Sequence, residues 1–179
     1  MSVNEGTALL PHVRRAPLAS AAVRLAHTAI CVPDVDAAVA WYESVLGLTV
    51  LSPPYLMEGD AITDDMGELL PTRPVAVKAA IIGDGEDHVI EVIGYPNEPG
   101  AHNEPRAIAD IGISHVGIVC DDIDEARARI EAAGGVFIVN GVADVARLRT
   151  TWFRDPWGVV FILMQKHDPS RAYWQQYGG

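Results

Sequence analysis

The sequence predicts an α+β fold built from two βαβββ modules, and an internal repeat is the main observation behind this prediction. The segment AHTAICVPDVDAAVAWYESVLGLTVL, with His27, recurs as SHVGIVCDDIDEARARIEAAGGVFIV, with His115, at an offset of 88 residues. Each copy begins with an alternating run typical of a strand and continues with apolar residues at helical spacing. Such a repeat indicates one supersecondary unit that is built twice.

The first module is predicted to span residues 24–96. Asp34 caps its helix, because a carboxylate accepts the free N–H groups of a first turn, and Gly47 ends the helix. Residues 53–72 contain several prolines and glycines and are predicted to form a loop. The predicted strands are 25–32, 48–52, 74–82 and 87–94.

The second module is predicted to span residues 113–166 and to repeat the same order. Its helix follows Asp122, and the turn Asp155-Pro156-Trp157-Gly158 precedes its last strand, since proline presets φ and glycine tolerates positive φ. The predicted strands are 113–120, 136–139, 147–153 and 159–165. Outside the modules we expect an N-terminal arm over 1–23, a linker over 97–112 and a C-terminal tail over 167–179.

Composition excludes several classes of partner. The charge is −11 and there is no Lys/Arg-rich run, so we expect no nucleic-acid binding. No apolar run reaches the length of about 20 residues that a membrane span needs, and there is no signal-peptide pattern. With Cys31 and Cys120 as free thiols, the sequence predicts a soluble cytoplasmic protein that acts on a small-molecule substrate.

Three strand residues are candidate metal ligands. His27 shares a strand face with Ala29 and Cys31, whereas Thr28, Ile30 and Val32 take the other face, against the helices. His115 takes the equivalent position in the repeat. Glu91 interrupts an otherwise apolar strand, where a carboxylate is costly unless it is paired or metal-bound. A single strand histidine usually has a structural role, but two at equivalent repeat positions beside an isolated acid favour a metal site.

The remaining histidines are not predicted to bind metal. His12, His102 and His167 are expected to be solvent-exposed, and His88 falls on the strand face opposite Glu91.

The chain resembles the vicinal oxygen chelate superfamily, which includes glyoxalases, bleomycin-binding proteins, fosfomycin resistance proteins and extradiol dioxygenases. The segments that carry the resemblance are LAHTAICVPDVDAAVAWYESVLGL, HVIEVIGYP, GISHVGIVCDDIDEA and FRDPWGVVFILMQ. The resemblance implies that the two modules form a pseudo-symmetric open cup of mixed β-sheet around a divalent metal. It also implies a homodimer.

The resemblance further implies a ligand set. Four strand positions can supply ligands in this superfamily, and His27, Glu91 and His115 match the first three. The fourth, seven residues after Asp155, is Ile162, so the chain departs from the four-ligand pattern. We expect Cys31, Ile162 and Met164 to line the substrate pocket.

Three functions fit this ligand set. Two histidines and one carboxylate suit non-haem Fe(II) and O₂, so a dioxygenase-like oxygenase is the first expectation. The second is a glyoxalase- or epimerase-like lyase or isomerase that uses Mn, Zn, Co or Ni, with a base such as Glu58, Asp65 or Glu68. The third is a protein that binds a small molecule, such as an antibiotic, without catalysis.

Overall fold

The computed structural model describes residues 25–178 apart from 85–87, 99 and 101–106. The predicted arm, His12 and His102 lie outside the described residues. The α+β class and the two repeated modules are confirmed, because each module forms a sheet of its own with the same strand order.

The first sheet has four strands in the order β1-β4-β3-β2, in which β1 and β4 are parallel and the other pairs are antiparallel. Its helices are α1, which continues into a π-helical turn over Tyr42–Leu46, and α2. The elements are β1 (Thr28–Cys31), α1 (Val35–Trp41), β2 (Thr49–Glu58), α2 (Asp60–Met66), β3 (Ala76–Gly83) and β4 (Val89–Gly94).

The second sheet has five strands, in which β5-β9-β8-β6 repeats the first order and β7 pairs with β8. A 3₁₀ helix over Tyr173–Gly178 follows in the tail, where Gln176 is buried. The elements are β5 (Val116–Cys120), α3 (Ile123–Ala132), β6 (Val136–Phe137), β7 (Ala143–Val145), β8 (Leu148–Arg154) and β9 (Val160–Lys166).

The helix boundaries follow the predicted capping residues. The Asp34 carboxylate accepts the Ala37 N–H at 3.0 Å, and Asp122 accepts the N–H groups of Asp124 and Glu125. Gly47 adopts the left-handed conformation, with φ of 74°, where a side chain would be strained. These two capped helices therefore start and stop where local chemistry dictates.

The predicted loop over 53–72 is confirmed for 67–72, which contains no helix or strand, but is wrong for most of 53–66. Strand β2 continues through Pro53 and Pro54 to Glu58, and α2 follows. Proline is tolerated here because β2 is an edge strand, and the register with β3 shifts on both sides of Ser52. Helix α2 has no buried residue, so its sequence lacks the apolar periodicity that marks a helix.

Strand β7 was not predicted, because its hairpin uses an unusual turn. Ala146 and Arg147, which link β7 to β8, have φ of 52° and 64°. Two-residue hairpin turns need positive φ and normally use asparagine or glycine. Because this turn contains neither asparagine nor glycine, the sequence does not indicate a hairpin here.

The helices of the two modules contact each other in one shared core. The Trp41 indole N–H donates to the Ala133 carbonyl at 2.8 Å, and the Arg129 Nε donates to the Val45 carbonyl at 2.7 Å. The Tyr42 hydroxyl donates to Asp155 Oδ2 at 2.5 Å in a buried contact. No helix among the described residues is long and apolar enough to cross a membrane.

Tyr42→Phe should destabilise the protein by about 2 kcal/mol, because Asp155 Oδ2 would lose its donor while the carboxylate stays buried. Chemical denaturation measures the change in unfolding free energy. The control is Tyr55→Phe, since Tyr55 is 41% exposed, and it should change stability by less than about 0.5 kcal/mol. Equal effects of the two substitutions would contradict a special role for the Tyr42 hydroxyl.

Candidate active site

His27 and Glu91 lie together on the open face of the first sheet. The His27 Nε2 and Glu91 Oε2 atoms are 3.3 Å apart, and the side chains are 43% and 19% exposed. Strand register explains the contact, because Ala29 pairs with Glu91 in parallel β1 and β4. Ile30 and Val32 point to the helices and are buried, so the predicted division of strand faces is confirmed.

The second histidine is held by a different set of neighbours. The Ser114 hydroxyl donates to the Ile108 carbonyl at 3.1 Å and therefore accepts from His115 Nδ1, also 3.1 Å away. This assignment puts the proton on Nδ1 and leaves a lone pair on Nε2. The His115 ring also meets the Trp152 ring edge-on, with centroids 4.7 Å apart.

The register of the second sheet identifies the counterpart of Glu91. Glu91 pairs with Ala29 on β1 and Ile81 on β3, whereas Ile162 pairs with Gly117 on β5 and Trp152 on β8. Gly117 and Ala29 are equivalent in the repeat. Ile162 therefore occupies in the second module the sheet position that Glu91 occupies in the first.

The structure brings together two of the three predicted ligands. Among the described residues, no group of three or more His, Cys, Asp or Glu side chains is close enough to hold a metal ion. His115 instead lines a cavity of about 290 Å³ that Thr28 and Ala29, the residues that follow His27, also line. The cavity thus lies at the seam between the modules, and neither His27 nor Glu91 lines it.

None of the three predicted pocket residues lines this cavity. Cys31 follows His27 and Ala29 on the alternating face of β1 and is exposed. Ile162 is half-buried and Met164 is buried on β9. A side chain at Gly117 would meet the Met164 Cε and the Ile162 Cγ2, so glycine leaves the space beside these two residues.

Tyr95 is a site residue that the sequence analysis missed. Desolvation raises its pKa, and the nearby charges of Cys31 and Glu91 raise it further. The phenol therefore stays protonated at neutral pH and can donate a hydrogen bond. Continuing the alternation from Glu91 through Ile93 would have placed Tyr95 on the same face.

The carboxylates suggested as bases are distributed away from this pair. Glu58 pairs with Ala76, two strands from β4 and five residues along β3 from the partner of Glu91. The offsets along and across the strands together place Glu58 about 20 Å from Glu91. Asp65 lies on α2 and Glu68 just after it, and all three carboxylates are exposed.

The other described histidines form separate ion pairs. His88 is exposed and lies 3.4 Å from the Asp84 carboxylate, and His167 lies 3.0 Å from Asp144. His167 is 43% exposed, the same fraction as His27. Exposure was predicted for His167, and neither residue belongs to the seam.

Comparison with known proteins gives two curated relatives that cover most of the chain. A 2-epi-5-epi-valiolone epimerase from Actinomyces is 29% identical over 161 residues, covering 87% of this chain and 85% of its own. The uncharacterized protein YaeR of Escherichia coli K12 is 28% identical over 140 residues, covering 78% and 94%.

Solved structures show the same fold at low sequence identity. A glyoxalase family protein from Bacillus cereus matches with a TM-score of 0.74 and 19% identity, over 85% of this chain and all of its own. The glyoxalase I of Leishmania major matches with a TM-score of 0.56 and 19% identity, over 80% and 87%.

The family model for the Glyoxalase/Bleomycin resistance protein/Dioxygenase superfamily matches residues 24–163. This span includes the first sheet, the second sheet as far as Leu163 in β9, the His27–Glu91 pair and His115. The chain therefore belongs to the Glyoxalase/Bleomycin resistance protein/Dioxygenase superfamily.

Proposed function

We propose that the protein is a metal-dependent isomerase of the epimerase type that acts on a small ketone. The observation that carries the proposal is the His27–Glu91 pair on the open sheet face, at 3.3 Å. Over 87% of its own length, this chain is similar to an enzyme named as an epimerase. Epimerisation beside a carbonyl requires removal and return of one proton, which acid–base groups on such a face can perform.

The donor atoms fit a divalent ion in chemical type. Ligands about 2.1 Å from a first-row metal lie about 3.0–3.4 Å from each other, and the His27 and Glu91 donors are 3.3 Å apart. His115 would offer Nε2, because its Nδ1 contacts Ser114, and such a second contact commonly orients metal-binding histidines. His27, Glu91 and His115 would hold the ion, which when bound would polarise a substrate carbonyl as a Lewis acid.

The chain's own side chains supply the remaining functions. Tyr95 stays protonated and would donate to a substrate oxygen near Glu91. Cys31 also has a raised pKa because of desolvation, so it acts as a neutral pocket wall rather than a thiolate. Met164, Ile162 and Trp152 form an apolar second wall that excludes water from the reacting carbon.

An oxygenase is the second candidate, and one observation favours it. Because Ile162 replaces a fourth ligand, the proposed donor set has only two histidines and one carboxylate, the composition that suits Fe(II) and O₂. In either case we propose a homodimer, to be checked by sedimentation.

Reaction type can be separated by isotope exchange. Small hydroxyketones incubated with the protein in D₂O should take up deuterium at the carbon beside the carbonyl, as proton NMR measures, and should consume no O₂. An oxygenase would consume O₂ when Fe(II) is restored and would show no exchange. That second result would replace the isomerase proposal with the oxygenase.

Metal binding can be tested with a matched control. His27→Ala and His115→Ala should each weaken Mn²⁺ or Zn²⁺ binding at least tenfold in calorimetry, because each removes one proposed ligand. The control is His167→Ala, whose histidine has the same exposure and a similar carboxylate partner. Unchanged affinity in the first two variants, or an equal loss in all three, would refute the ligand assignment.

Ile162→Glu tests whether the fourth position faces the metal. A carboxylate there should raise metal affinity, and bound metal should restore much of the melting temperature that the half-buried charge removes. The matched control is Ile162→Gln, which has similar size and polarity but no charge and should show little metal-dependent recovery. Equal behaviour of the Glu and Gln variants, with and without metal, would show that position 162 does not face the ion.

A further inference from the structure

The seam cavity contains a basic side chain that the proposed reaction does not use. Arg154 lines this cavity of about 290 Å³, as His115 and Ser114 do. Arg154 ends β8, where it pairs with Val160 of β9. By alternation it lies on the same face of β8 as Trp152, which contacts His115. Arg154 is therefore on the same side of the second sheet as Trp152.

One nitrogen of this guanidinium is buried without a partner. Arg154 Nη1 is inaccessible to solvent and makes no hydrogen bond within the described part of the chain. Leaving a charged donor unpaired away from water is costly, and native proteins rarely do so without a reason. Several other described arginines donate to protein acceptors, namely Arg73, Arg127, Arg129 and Arg149.

Asp110 is an acid that lines the same cavity. Its Oδ2 accepts the Ala107 N–H at 3.0 Å. No ion pair joins Arg154 to Asp110 or to any other carboxylate among the described residues. The guanidinium therefore lacks a direct carboxylate partner within this part of the chain.

We propose that Arg154 binds an anionic group of the substrate, a carboxylate or a phosphate, inside the seam cavity. A guanidinium fork matches the paired oxygens of either group and binds them through two hydrogen bonds. This assignment builds on the proposed function by adding an acidic substituent to the ketone. Because Arg154 and His115 line the same cavity, that substituent would lie beside His115.

The test uses the full-length protein after treatment with a chelator, so that its result does not depend on the metal. Inorganic phosphate and malonate serve as probes of the two anion types in separate calorimetric titrations. At least one anion should bind in the millimolar range or tighter and should raise the melting temperature. Arg154→Gln should weaken that binding at least tenfold, and Arg154→Lys should weaken it less, because it keeps the charge but loses the fork.

The matched control is Arg147→Gln, since Arg147 is an exposed arginine in the β7–β8 turn. It should bind the anion as the unaltered protein does. Binding that is absent for both probes, or equal in the Arg154→Gln and Arg147→Gln proteins, would overturn the proposal. His27→Ala should keep anion binding while losing metal, so a failure of the metal assignment remains distinguishable from a failure of the anion site.

Discussion

The buried hydrogen bond between Tyr42 and Asp155 holds the two modules in one arrangement. Asp155 is 3% exposed, and desolvation raises its pKa even though hydrogen bonds from Tyr42 and from backbone N–H groups oppose the rise. The same carboxylate accepts the N–H groups of Trp157 and Val159, which fixes the turn before β9. That turn sets where β9 starts, and so which β9 residues reach the open face. The position of the second half-site thus depends on a contact made in the core.

Sequence periodicity was sufficient for the parts of the fold that have one buried face. Alternation predicted that Ile30 and Val32 would face the helices, and both are buried. It failed where burial is absent: β2 carries Pro53-Pro54 at a sheet edge, and α2 buries no residue. Periodicity reports burial, so exposed elements leave little trace in it. The candidate site was found because its strands have one buried face and one open face.

The two modules share the same strand order but differ in the side chains at equivalent positions. Ile162 follows His115 by 47 residues, whereas Glu91 follows His27 by 64, because the first module carries a longer segment between its helix and its last strand. A fixed repeat offset therefore cannot align these two positions, but the pairing of Ile162 with Gly117 and Trp152 does. The side-chain partners of His115 were also beyond sequence reasoning, since Trp152 and Ser114 reach it through tertiary structure.

This asymmetry makes the two sides of the seam chemically different. The first module contributes a carboxylate, an imidazole and the protonated phenol of Tyr95 on one wall. The second contributes the His115 imidazole, the apolar side chains of Ile162 and Trp152, and Arg154. A symmetric four-ligand cup would bind a small substrate in two orientations related by the pseudo-twofold axis with similar energy. Ile162 stands in the second module where Glu91 stands in the first, and this difference makes the two orientations unequal in energy. A substrate oxygen placed against Ile162 would lose its hydrogen bonds without compensation. For the proposed isomerase, a site with unlike walls would select the reacting centre before any proton moves.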